Sequence, residues 1–170
     1  AFGARVAERL AREGDLEIII AGRSRERAET GAAELAANAK AKFGTAVIDA
    51  LAVTAEELAE IGPAVVVNAS GPFQAQDYTL ARACIAARCH YVDLADARAF
   101  VTGISALDTE AKAAGVAVIS GASTVPGLSS AVVRHLEPRF EKIRAIEIIN
   151  ELEPARRGPY CGTILWASFD

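Results

Sequence analysis

Short apolar runs rich in β-branched residues alternate along this chain with longer, alanine-rich amphipathic stretches. That rhythm narrows the fold more than any other feature. The runs are LEIIIA at residues 16–21, TAVID at 45–49, AVVVN at 64–68, YVDL at 91–94 and VAVIS at 116–120. Helical patterns fill 3–13, 25–40, 55–61, 77–88, 99–114 and 127–136. Strands spaced by helices of this length give βαβ units, a parallel sheet and right-handed crossovers. The expected fold class is therefore α/β, with a doubly wound parallel sheet. Local punctuation agrees. Gly14 and Gly115 stop helices, Thr54 and Glu57 form a capping box ahead of 55–61, and Pro126 sits where a helix N-terminus tolerates it.

A doubly wound sheet sets a strand before its first helix, but this chain opens on Ala1-Phe2-Gly3 and passes directly into one. The expected organisation has an apolar strand upstream, the middle one of a 3-2-1-4-5-6 order, carrying the first two glycines of a G-x-G-x-x-G turn. After Pro138 the pattern changes: KIRAIEIIN at 142–150 alternates openly, as in a half-exposed antiparallel or mixed sheet. The expected domains are residues 1–137, truncated at the front, and residues 138–170, the start of a second domain.

Composition removes several function classes. Net charge is −4 and no lysine or arginine cluster exceeds a few residues, which argues against nucleic acid as a partner. No apolar stretch approaches the roughly 18 residues a membrane span needs, and the charged N-terminal stretch is no signal peptide. Cys84, Cys89 and Cys161 lack zinc or CxxC spacing, so no metal site is expected. They read as small apolar fillers in a reducing, cytoplasmic protein.

Chemistry first shows in AVVVNASGPF, residues 64–73. Three valines without polar alternation suit a strand buried on both faces. In open α/β sheets, ligands lie beyond the carboxyl ends of the strands where their order reverses. Residues 68–73 thus read as a ligand-facing loop, although a buried strand with an ordinary turn fits the same letters. Asn68 offers an amide donor and acceptor, and Gly71-Pro72 lets rigid backbone pass close to a flat ring, such as a nicotinamide.

Gly3 opens the first helix as the last glycine of a dinucleotide turn would, or as an ordinary packing glycine. After the LEIIIA strand comes Gly22-Arg23-Ser24, with Arg25 and Arg27 close behind. This is where a dinucleotide fold meets the adenosine ribose. A carboxylate there selects NAD, whereas a guanidinium with a hydroxyl can grip a 2′-phosphate. The pattern favours NADP over NAD, against the plainer reading of a solvated basic helix start. In residues 120–130, SGASTVPGLSS, a strand runs into small residues and a helix whose free N–H groups can meet an anion or carbonyl. A plain N-capped helix reads equally well.

Taken in order, FGARVAERLA, AGRSRERA, VVVNASGPFQ, CHYVDLADAR and GASTVPGLSSAV resemble the saccharopine dehydrogenase family of NAD(P)-binding oxidoreductases, over about residues 1–136. The resemblance implies a Rossmann-type domain followed by an α/β substrate and dimerisation domain. It also implies hydride transfer between a nicotinamide cofactor and a carbon–nitrogen bond of an amino-acid-like small molecule, in a homodimer. By position, Ala1, Phe2, Gly3, Arg23 and Ser24 would lie along the cofactor, as would Asn68, Ala69, Gly71, Pro72 and Phe73. Thr124, Pro126 and Gly127 would complete the cofactor contacts, with Tyr91 and Asp93 near the reactive end or the substrate.

Among acids and bases, His90 falls on the rim opposite the cofactor, and His135, late in a helix, reads as structural. Asp93 could orient a substrate amine or exchange a proton; helix capping or an arginine partner are the competing roles. No tyrosine has a lysine four positions on, which argues against the tyrosine–lysine mechanism of short-chain dehydrogenases. A non-catalytic protein holding NADP as a structural or redox-sensing ligand is the competing function.

Overall fold

The computed structural model describes residues 2–74 and 76–139. Ala1, Cys161, the 142–150 strand expectation and residues 140–170 of the expected second domain lie outside them. Helix α1 (Phe2–Leu10) leads into strand β1 (Glu17–Gly22), helix α2 (Arg25–Ala36) and strand β2 (Lys42–Val47). Then come α3 (Ala55–Ile61), β3 (Val65–Asn68), α4 (Thr79–Ala86), β4 (His90–Asp93), α5 (Arg98–Gly103), α6 (Asp108–Ala114), β5 (Val118–Ile119) and α7 (Ser129–Leu136). Every strand pairing among the described residues is parallel.

Among the described residues the sheet comes in two pieces, β1-β2 and β3-β4-β5, as expected of a doubly wound sheet whose middle strand this sequence lacks. No strand among the described residues lies between β1 and β3 to carry hydrogen bonds across, at the place where the sequence sets the middle strand. The larger core lies under β3 and β4, where Leu58, Leu80, Cys84, Tyr91 and Leu107 pack together. Helices α1 and α2 instead bury alanines, namely Ala7, Ala28 and Ala32.

Capping signals hold better than helix lengths: α1 stops at Leu10 rather than at Gly14, and α2 at Ala36 rather than at 40. The Thr54 hydroxyl accepts from Glu57 N (3.3 Å), and the Glu57 carboxylate accepts from Thr54 N (2.8 Å). Gly62 and Gly115 end α3 and α6 in the left-handed conformation, at φ +65° and +71°. Helix α4 ends in a Schellman motif: Cys89 N donates to Cys84 O (3.0 Å) and Arg88 N to Ile85 O (3.1 Å). The left-handed residue there is Arg88, at φ +56°.

Expectations for β3 and for the helix at 99–114 need correcting. The valines of β3 are not buried on both faces: Val65 and Val67 are 49% and 39% exposed, while Val66 packs on the core. Strand side chains alternate, and among the described residues only one face of β3 is covered. The expected single helix 99–114 is broken by a 3₁₀ turn at Ile104–Leu107. Hydroxyls compete for its carbonyls: Tyr78 donates to Phe100 O (2.8 Å), Thr102 to Arg98 O (2.9 Å) and Ser105 to Thr102 O (3.2 Å). Phe100 O is the acceptor that Ile104 N would use in an unbroken helix.

Candidate functional site

The carboxyl ends of β3, β4 and β5 gather three loops into a rim, and the polar residues at those ends bind one another. Asn68 and Asp93 sit side by side in the ladder. Asn68 Oδ1 accepts from Ser70 N (3.0 Å) and Ser70 Oγ (2.6 Å), closing an Asx turn. Its Nδ2 donates to the Tyr91 hydroxyl (3.1 Å). Asp93 Oδ1 accepts from Ala95 N (3.0 Å), Ser120 Oγ (2.9 Å) and Gly121 N (2.8 Å). The backbone oxygen of Asp93 also accepts from Ala122 N (2.9 Å).

All three of these side chains are interior. Asn68 is 4% exposed, Tyr91 1% and Asp93 0%. Burial is the main cause that pushes the Tyr91 hydroxyl pKa up; the hydrogen bond from Asn68 opposes it and the negative charge of Asp93 adds to it. Burial, then the charge of Asp93, raises the Tyr78 hydroxyl pKa in the same way. Asp93 Oδ2 has no hydrogen-bond partner among the described residues.

In the loop after β3, Ala69, Ser70, Gly71 and Pro72 are exposed, bracketed by buried Asn68 and Phe73. Phe73 stacks at a tilt on Phe100, with centroids 5.3 Å apart, and so faces inward as an anchor. Gln76 Nε2 donates to Ser70 O (2.7 Å) and Pro72 O (3.0 Å), which clamps the loop across the cis Gly71–Pro72 bond. Gly3 sits against this loop: a Cβ there would lie 3.1 Å from Ala69 Cβ. This contact, with the loop rather than with a strand, brings the N-terminus of α1 to the rim.

The third rim loop holds Ser120, Gly121 and Thr124. Pro126 lies within a π-helical turn, Thr124–Leu128, instead of opening a helix at 127. A Cβ on Gly127 would come 2.6 Å from Gly121 O, so this backbone-on-backbone contact admits glycine alone. Thr124 is exposed, while the contact of Gly127 is with its own loop.

At the end of β1, Arg23, Ser24, Arg25 and Arg27 are exposed, and the three arginines take no part in an ion pair among the described residues. Ser24 Oγ caps α2 by accepting from Arg27 N (3.3 Å), a role the sequence reading did not give it. A Cβ on Gly22 would meet nothing within 4 Å, so open space adjoins the arginines. Phe2 is 73% exposed. Unpaired guanidiniums beside open space, with Gly3 drawing a helix N-terminus onto the rim, fit the phosphates of a dinucleotide.

The structure thus gathers Gly3, Ala69, Gly71 and Pro72 at one rim and leaves Arg23 and Ser24 at the end of β1. It turns Asn68, Phe73, Tyr91 and Asp93 inward. Ser120, Gly121 and Gln76 were missed as organisers of that rim. The first two bond Asp93 from 27 and 28 positions away, beyond any local pattern.

Among the described residues no helix is long and apolar enough to cross a membrane. Among solved structures, the chain is similar to the bulky-bulky ketone specific alcohol dehydrogenase from Comamonas testosteroni. The two are 18% identical, with a TM-score of 0.48, over 88% of this chain and 86% of that one. No curated protein matches the sequence. Residues 1–119 match the saccharopine dehydrogenase NADP binding domain. With most of its length covered by that match, and with the parallel strands and glycine-packed helix described above, the chain belongs to the family of saccharopine dehydrogenase NADP-binding domains.

Proposed function

We propose that the protein is an NADP(H)-dependent oxidoreductase acting at a carbon–nitrogen bond of an amino-acid-like small molecule. The observation that carries the choice of cofactor is the set of unpaired, exposed arginines at the end of β1. Arg23, with Arg25 or Arg27, would hold the 2′-phosphate, since a guanidinium can offer it paired charge-assisted hydrogen bonds. The exposed backbone of Ala69, Gly71 and Pro72 would lie along the nicotinamide half, and Thr124 at the facing loop. When bound, the cofactor supplies or takes up the hydride. The chain's own residues then hold it, orient it and keep the rim rigid. The family resemblance favours a homodimer, and the unclustered cysteines a reducing, cytoplasmic setting.

One observation favours a second reading, a dinucleotide-binding protein without turnover. The acid–base candidates Tyr91 and Asp93 are both buried and face the protein interior. NADPH oxidation measured over a panel of oxo acids with amino acids or ammonia separates the two. Turnover on any pair supports the oxidoreductase; tight NADPH binding with none supports the second.

A further inference from the structure

Two buried groups at the rim are each left incomplete, and they are neighbours. The Tyr91 hydroxyl accepts from Asn68 Nδ2 and still has its own proton to give. Asp93 Oδ2 is buried and has no hydrogen-bond donor among the described residues. Strand residues two apart share a face, so Tyr91 and Asp93 project together from β4, and the charge of Asp93 is felt at the Tyr91 hydroxyl. A buried acceptor without a donor is costly, as is a buried hydroxyl proton without an acceptor. Each supplies what the other lacks.

We propose that Ser70, Asn68, Tyr91 and Asp93 form one buried hydrogen-bonded string that sets the three rim loops in a common register, with Asp93 a positioning residue. The string begins at the Ser70 turn after β3, crosses to β4 through Asn68 Nδ2 and the Tyr91 hydroxyl, and passes from that hydroxyl to Asp93 Oδ2. At Oδ1 it ends on Ala95 N after β4 and on Ser120 Oγ and Gly121 N after β5. Asp93 then acts on a bound dinucleotide only through the loops it ties, and exchanges no proton with substrate. The inference rests on the dinucleotide reading for its functional consequence, but not for the string itself.

Amide hydrogen exchange and NADPH binding by nicotinamide fluorescence test it. Tyr91→Phe removes only the hydroxyl in the middle. Exchange should rise by about tenfold at Ser70 on one side and at Gly121 on the other, because loops freed of a shared anchor open independently. A rise at Ser70 with Gly121 unchanged would overturn the string. Asp93→Ala should speed exchange at Ala95 and Gly121 and weaken NADPH binding by about tenfold, as three hydrogen bonds to one acceptor are lost. Asp93→Asn keeps an acceptor for those donors and should restore exchange and affinity to within about threefold of the parent. If Asp93→Asn is as damaging as Asp93→Ala, the carboxylate charge itself is used and the positioning role is wrong. Should Asp93→Ala fail to fold, Ser120→Ala takes its place, with faster exchange at Gly121 and Ala95 expected and unchanged exchange at Ala95 contradicting the tie. A parent protein that fails to bind NADPH refutes the cofactor reading alone, because the exchange measurements still decide the string.

Discussion

The β1–β2 half and the β3–β4–β5 half treat their polar groups in opposite ways. At the end of β1 the arginines stand exposed without ion-pair partners among the described residues, beside a glycine with open space around it. At the ends of β3 and β4, polar side chains are buried and directed at one another. Exposed charge costs little to keep and is free to meet a ligand, whereas a buried polar group must find its partner inside the protein. The first half is thus suited to recognising charge and the second to holding shape. Substitutions in the two halves should separate accordingly: affinity without stability in one, stability with or without affinity in the other.

The largest effect is expected at Gly127. A Cβ there meets the backbone oxygen of Gly121 at 2.6 Å, and backbone cannot swing aside as a side chain can. Gly127→Ala should lower stability by about 2–3 kcal/mol, as strained or overpacked core substitutions do. It should also weaken NADPH binding, since the loop it distorts is the one tied to Asp93. Urea unfolding and cofactor titration on one preparation read both. An unchanged urea midpoint would mean that the rim loop relaxes freely and that the second half is not the rigid one.

Arg23→Ala is the opposite case. Losing a guanidinium contact to a 2′-phosphate should cost about tenfold in NADPH affinity, near 1.4 kcal/mol. NADH affinity should stay the same, and stability should shift by less than about 0.5 kcal/mol, as for other exposed sites. Equal losses for both cofactors would remove the phosphate assignment and with it the contrast between the halves.

This contrast also explains what could be read from the letters. Thr54 and Glu57 specify a cap through neighbours three residues apart, and α3 begins and ends where that spacing and Gly62 dictate. Gly3 was legible because a helix start in a dinucleotide fold asks for a residue without a side chain. The exposure of the arginines is legible because a charged helix start needs little else folding around it. Long-range partners were not. Asn68 reads as a ligand contact until Tyr91, 23 positions on, takes its amide. The break in 99–114 depends on a hydroxyl from Tyr78, which no periodicity within the helix records. Burial of β3 was overread because continuous valines imply cover on both faces, and cover is a property of neighbouring elements.

Two smaller tests stay within the second half and ask whether its stability separates from binding. Thr54→Ala removes the capping box from the helix that packs under β3, which should cost about 1 kcal/mol. NADPH affinity should hold, because the bonds lost are those between Thr54 and Glu57 and none of them reaches a rim loop. A parallel loss of affinity would show that the core and the rim unfold as one unit.

The smallest effect should be a gain. Arg88 occupies the left-handed position of the Schellman motif at the end of α4, where glycine is the usual residue. The non-glycine side chain costs roughly 1 kcal/mol in that conformation. Glycine relieves it but also loosens the unfolded chain, which takes back part of the benefit. Arg88→Gly should therefore stabilise by about 0.5 kcal/mol, seen as a small rise in urea midpoint with an unchanged slope. The same motif brings Cys84 and Cys89 together as its apolar contact, with the thiols buried and the pKa of each pushed up, chiefly by that burial. A tighter turn should slow alkylation of both cysteines by a thiol reagent in proportion to the gained stability, because they react only when the turn opens. Faster alkylation would mean that the Arg88 side chain holds the turn closed, and that the left-handed strain is offset by a contact of its own.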